Sequence, residues 1–116
     1  MAEVATDELQ AFKAAFFRAL AHPVRIRMLE LLVAGERSVQ ELQAALGVDQ
    51  PVVSQQLAVL RSTKIVAGRK EGVTVRYSAR DPLVADLLKI ARRIFNNHLV
   101  GTQDLLHQLQ REHRGR

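Results

Sequence analysis

The sequence contains no cysteine and no tryptophan, and its aromatic side chains are four Phe and one Tyr. The missing thiols exclude disulfides, thiolate zinc sites and thiol redox sensing within the chain. With so few rings the core has to come from Leu, Val, Ile and Ala, which favours packed helices over a sandwich or barrel. No apolar run approaches the ~20 residues needed to cross a bilayer. The opening Met1-Ala2-Glu3-Val4-Ala5-Thr6-Asp7-Glu8 is acidic and has no apolar block behind it, unlike a signal peptide. A cytoplasmic protein with no membrane partner is therefore expected. A glycine-rich phosphate loop, a metal-ligand motif and a serine with a nearby His-acid pattern are also missing, so neither enzyme activity nor a cofactor is expected.

The 116 residues, 47% of them hydrophobic, suit one compact domain spanning 1–116. A domain this small buries a modest share of its surface, so pairing with a second copy would add stability. The net charge of +5 suggests an anionic partner, nucleic acid or a membrane surface, although simple solubility explains it equally well.

Along the chain, Leu9, Phe12, Phe16, Ala19 and Leu20 recur at helical spacing. His22-Pro23 interrupts that helix and opens a second one, through Val33, which stops near Gly35. Ser38-Val39-Gln40-Glu41 is a capping box and starts a short third helix, closed by Gly47. Asp49-Gln50-Pro51 starts a fourth, with Asp49 or Gln50 as cap. Two helices joined by a tight glycine turn make a helix-turn-helix. The period then changes: 65–70 and 73–78 are rich in β-formers around Glu71-Gly72, which predicts a hairpin, or wing, with a charged tip. Asp81-Pro82 caps a last helix drawn as continuous to Gln110, roughly 45 Å long at 1.5 Å per residue, with Gly101 as the place where it frays or bends. The expected fold is mainly α with a small β-hairpin, in the order α-α-α-α-β-β-α. Leucines at the far end of so long a helix need another surface, so the helices at 7–21 and 81–110 are expected to form a homodimer interface. Leu9, Phe12, Phe16, Leu87, Leu88, Ala91, Ile94, Phe95 and His98 are its candidate residues.

The fourth helix sorts into an inner edge of Val53, Leu57 and Leu60, flanked by Gln56, and an outer edge of Pro51, Ser54, Gln55, Ala58 and Ser62. That outer edge is small and uncharged, as close approach to base edges in a major groove requires. Gln55 is the candidate base reader, because a carboxamide can pair with adenine at two points. Ser54 suits a base edge or a phosphate, Val52 a thymine methyl, and Gln50 a phosphate at the helix start. Ser38, Pro51 and Gln56 complete the candidate set on these helices. Arg61, Arg69, Lys70 and Arg76 follow closely, with Thr74 beside Arg76 on one expected solvent-facing side of the wing. Such cations suit the phosphate backbone or the minor groove, whereas charge on a hairpin edge also guards against aggregation.

Ala19-Leu20-Ala21-His22-Pro23-Val24-Arg25-Ile26-Arg27-Met28-Leu29 resembles the "LAHPxRxxIL" opening of ArsR/SmtB-type regulators. Pro51-Val52-Val53-Ser54-Gln55-Gln56-Leu57-Ala58-Val59-Leu60-Arg61 resembles their "xxSxHLxxLR" recognition helix, and the wing ending in Tyr77 follows at the expected place. The resemblance runs from about Phe12 to about Phe95. It departs at Gln56, where the family usually has histidine, and at Ser62-Thr63-Lys64, where it usually has "xAG"; both leave operator preference open. The resemblance implies a winged helix-turn-helix homodimer that binds double-stranded operator DNA, represses its own or an adjacent operon and lets go when an inducer binds. A dimeric winged-helix adaptor working through protein contacts is the alternative.

Many relatives sense metal through a Cys-x-Cys pair, which aligns here with Ser38 and Gln40, poor ligands for soft or borderline metals. A second family site on the last helix is also missing, since Asp86 is followed by Leu87-Leu88 and the later positions fall at Leu99 and Thr102. No metal is therefore assigned. Asp104 and His107 share a helix face, and two copies across a dimer axis could supply four zinc ligands, but a solvated pair is the plainer reading. A small-molecule inducer at the dimer interface, a response to the protein's own concentration and constitutive repression all stay open.

Overall fold

The computed structural model describes residues 2–99 and 102–114. They fall into two compact units, Met1–Pro82 and Leu83–Arg116.

The first unit holds α1 (Ala2–Leu20), α2 (Pro23–Ala34), α3 (Val39–Leu46), α4 (Gln50–Ser62), β1 (Val66–Glu71) and β2 (Thr74–Ala79). His22 separates α1 from α2 in extended backbone, and its Nδ1 accepts from the Val24 amide at 3.1 Å. Pro23 then opens α2, where its missing N–H costs nothing. The capping box before α3 is formed in both directions: the Glu41 amide donates to Ser38 Oγ at 3.2 Å, and the Ser38 amide donates to Glu41 Oε1 at 2.9 Å. Gly47 ends α3 in the left-handed region at φ 69°, a backbone conformation that residues with a side chain rarely adopt. Asp49 caps α4 through its backbone alone, with its carbonyl accepting from Val52 and Val53.

Met28 and Leu29 of α2, Leu42 of α3, and Val53 and Leu60 of α4 are the largest side chains fully removed from solvent. These three helices thus share one core. After α4, Thr63 Oγ1 donates to the carbonyls of Val59 and Leu60, and Lys64 adopts φ 61°. Lys64 stands where the resembled pattern has glycine, and a side chain in that region carries a penalty of about 1–2 kcal/mol.

The hairpin turns at Gly72-Val73, with Gly72 at φ 64°, one residue later than the sequence suggests. A left-handed glycine at the first loop position satisfies a two-residue turn whose twist matches the strands. The shift matters, because it sets Arg69 opposite Arg76. A Cβ on Gly68 would lie 2.9 Å from Tyr77 Cε1, so the glycine lets the buried Tyr77 ring lie against the strand. Two strands alone are marginal. Here Arg37 extends the sheet, exchanging backbone hydrogen bonds of 3.0 and 2.8 Å with Tyr77.

The second unit is a pair of helices, α5 (Leu83–His98) and α6 (Gln103–Arg114). The single long helix expected from the stripe of leucines is therefore corrected, and the order becomes α-α-α-α-β-β-α-α. Arg92 Nη1 donates to the Leu109 carbonyl at 2.8 Å, and its Nη2 lies 3.5 Å from Glu112 Oε1. In one continuous helix residues 92 and 109 would stand roughly 25 Å apart. Instead α6 folds back, and Leu106 and Leu109 are half-buried within their own chain. Val100-Gly101-Thr102 supplies three poor helix formers in a row; Val100 and Gly101 lie outside the described residues. Leu106 and Leu109 therefore need no second subunit to cover them, whereas Leu105 stays about half exposed. Among the described residues no helix is long and apolar enough to cross a membrane.

Candidate nucleic-acid interface

The helix α4 is divided lengthwise, as its 3.6-residue period requires. Val53, Leu57 and Leu60 are buried, whereas Pro51, Val52, Gln55, Ala58 and Ser62 are exposed. Gln50 Nε2 donates to Ser54 Oγ at 3.1 Å, which couples the two polar side chains of the first turns; Ser54 is half-buried. Gln55 is exposed and has no side-chain hydrogen bond among the described residues. Its oxygen and its NH2 group both stay open, the arrangement a two-point contact with a base needs.

Two candidate contacts leave this surface. Ser38 is buried at 6% exposure, and its oxygen is committed to the α3 cap, so it cannot reach a ligand outside. Gln56 is half-buried and turned toward α2, where its Oε1 accepts from Arg25 Nη1 at 2.6 Å. The period of α4 placed Gln56 at the flank; only the fold supplies Arg25.

The wing differs from expectation in its charges. Directly opposed arginines repel across a hairpin, and Arg69 and Arg76 are such a pair. Carboxylates relieve them, Glu36 and Glu41 from outside the hairpin and Glu71 from its own first strand. Arg69 Nη2 lies 2.7 Å from Glu36 Oε1 and 3.0 Å from Glu71 Oε2, while its Nε donates to Glu36 Oε2 at 3.3 Å. Arg76 Nη1 lies 2.9 Å from Glu41 Oε1, and Nη2 donates to the Glu36 carbonyl at 3.0 Å. The face carrying Arg76 and the half-buried Thr74 therefore turns toward the α2–α3 connection, and both arginines brace the wing against it. Sequence reasoning missed Glu36 and Glu41 because nothing local links them to residues 33 to 40 positions away. Lys70 is exposed and stands in no ion pair among the described residues. Arg61 is exposed at the end of α4, its guanidinium carbon 5.5 Å from the centre of the Tyr77 ring.

Hydrogen bonding from Arg69 holds the Glu36 carboxyl below its ordinary value of 4.5, against a smaller opposing effect of desolvation. The Ser38 amide does the same for Glu41, with the Arg76 charge adding to it. A carboxyl whose folded pKa is lowered contributes stability above its unfolded value and loses it as pH falls through the folded one. Thermal unfolding followed from neutral pH downward is expected to show stability falling once pH drops below 4.5. Glu36→Gln should flatten that dependence, and an unchanged profile would remove the brace from the account.

The candidate pairing residues fall into two sets. On α1, Leu9 and Phe12 are exposed, the latter by 75%, and Phe16 is half-buried, its ring edge-on to Phe17 at 5.4 Å. On α5, Ile94 and Phe95 are about half exposed, Leu87, Leu88 and Ala91 are half-buried, and His98 is exposed with Nδ1 2.9 Å from its own helix at Ile94 O. Phe17 and Ile90 are further exposed apolar residues that the apolar stripes had not included. Asp104 and His107 are exposed on α6, and the described residues contain no cluster of three or more metal-ligating side chains.

Two short helices across a glycine turn, the second half-committed to a core, with a hairpin beside it: these define a winged helix-turn-helix protein. Residues 20–69 match the helix-turn-helix domain family. The chain belongs to the ArsR/SmtB-type winged helix-turn-helix transcriptional regulators. The HTH-type transcriptional regulator Rv0081 of Mycobacterium tuberculosis is 42% identical over 106 residues, covering 90% of this chain and 93% of that protein. Its crystal structure superposes with a TM-score of 0.74 at 47% identity, covering 78% of this chain and 92% of that one. A transcriptional repressor SmtB homolog of Synechocystis is 42% identical over 76 residues, 66% of this chain and 58% of that protein. The homodimeric winged helix-turn-helix DNA-binding domain Mb0332 of Mycobacterium bovis superposes with a TM-score of 0.75 at 31% identity, covering 81% and 87% of the two chains.

Proposed function

We propose that this regulator acts in the cytoplasm as a homodimeric repressor of its own or an adjacent operon, with α4 lying in the major groove of the operator. The observation that carries the reading is the division of α4: Val53, Leu57 and Leu60 are buried, while Gln55 is exposed beside the small exposed Pro51 and Ala58. Lys70 on the wing and Arg61 in the last turn of α4 supply phosphate contacts. Homodimerisation is supported by the homodimeric Mb0332 domain and by the exposed Leu9, Phe12, Ile94 and Phe95.

A mobility-shift series with the duplex upstream of its own gene, run at several salt concentrations, tests this. Each phosphate neutralised should steepen the fall of log K against log salt by about 0.9. Tight, sequence-dependent binding with such a slope is expected. Duplexes left unbound at low ionic strength would end the proposal, and sedimentation as a monomer at micromolar protein would end the dimer.

A further inference from the structure

The guanidinium of Arg25 makes three hydrogen bonds that join three helices. Its Nε donates to the Ala19 carbonyl at 2.6 Å and its Nη2 to the Arg18 carbonyl at 3.2 Å, both in the last turn of α1. Its Nη1 donates to Gln56 Oε1 on α4 at 2.6 Å. Carbonyls in a last turn lack partners within their helix, and a cation there opposes the helix dipole favourably. Arg25 sits on α2, so one rigid planar group ties the end of α1 to the middle of the groove-facing helix. A planar fork suits such a span, where an ammonium would act as a point charge.

We infer that Arg25 and Gln56 are positioning residues for operator recognition: the Arg25–Gln56 contact, added to the buried Val53, Leu57 and Leu60, fixes the rotation of α4 about its axis, so that the neighbouring Gln55 faces outward. Gln56 then touches no DNA, and Arg25 neutralises no phosphate. The inference rests on the proposed role of α4 in DNA binding and assigns the side chains that hold it in place. Adjacent helical residues differ by about 100° in direction. A carboxamide held inward at 56 therefore presents 55 to the outside, and a modest turn of α4 would swing Gln55 away from its base.

Gln56→Glu separates positioning from contact. A glutamate keeps the acceptor and gains a charge that Arg25 neutralises. Facing DNA, the same charge would be repelled by phosphates. At about 0.15 M salt, where charges beyond about 8 Å are largely screened, operator affinity is expected to change by no more than about threefold, the scale of a part-exposed ion pair. The order of preference among duplexes is expected to stay the same. Arg25→Ala should bring operator and unrelated duplex closer in affinity while leaving the salt slope unaltered; Arg25→Gln, which loses the charge and the fork but keeps a polar side chain, carries the same test if the alanine variant does not fold. A loss beyond that threefold limit for Gln56→Glu overturns the inference, as does discrimination left intact by the Arg25 variants, and so does a slope reduced by about 0.9 for either of them, because that marks a phosphate ligand. Failure of the parent protein to bind any duplex would instead overturn the proposed function, so the two failures are distinguishable.

Discussion

Gln55→Ala is expected to remove about 1–3 kcal/mol of discrimination between operator and unrelated duplex, the range of a two-point contact to one base. Binding to unrelated duplex should change little, because the carboxamide carries no charge. Competition mobility-shift assays with single base-pair substitutions across the operator would read this directly. Preference should relax at one position per half-site and hold elsewhere. Lys70→Ala is the proper contrast: it should weaken binding to every duplex and lower the salt slope by about 1. Lys70 serves for that contrast because Arg76, another of the wing cations, is held by Glu41 and the Glu36 carbonyl. Identical behaviour of the two variants would show that reader and anchor are wrongly assigned.

Leu60→Ala is expected to cost about 2–5 kcal/mol of folding stability, the range for truncating a fully buried leucine when its cavity does not collapse. Leu60 has no exposure at all, and it anchors the same helix whose other edge carries Gln55. Small domains are stable by about 5–15 kcal/mol, so this one change would take a large share of the total and shift the urea midpoint strongly. DNA binding should fall with the folded fraction and recover at lower temperature or with saturating operator. Ala58→Ser, on the exposed edge of α4, should stay within about 0.5 kcal/mol of the parent. Equal effects at 58 and 60 would contradict the division of the helix on which the DNA interface depends.

The helix-turn-helix was legible because its signals are local. Ser38 and Glu41 cap α3 with side chains three residues apart, Gly47 closes it, and Pro51 opens α4. The inner edge of α4 follows from helical period alone, and the buried Val53, Leu57 and Leu60 agree with it. The hairpin was visible in its β-formers, yet its turn moved by one residue, and the charges facing each other across it changed with that shift. The last helix was misjudged for a related reason. A run of leucines at helical spacing reads the same whether the stripe is continuous or folded back on itself.

By itself the sequence determined where most of the backbone helices begin and end in the winged-helix unit, which strands pair, and which edge of α4 is apolar. Those features depend on groups a few residues apart, whose geometry the chain imposes directly. The tertiary structure alone decided where the charges go: Glu36 and Glu41 to the wing arginines, Arg25 to Gln56 across 31 positions, and Arg92 to the end of α6. A long polar side chain takes whichever partner the packed core brings within 3 Å or so, and no local pattern encodes which surfaces will meet.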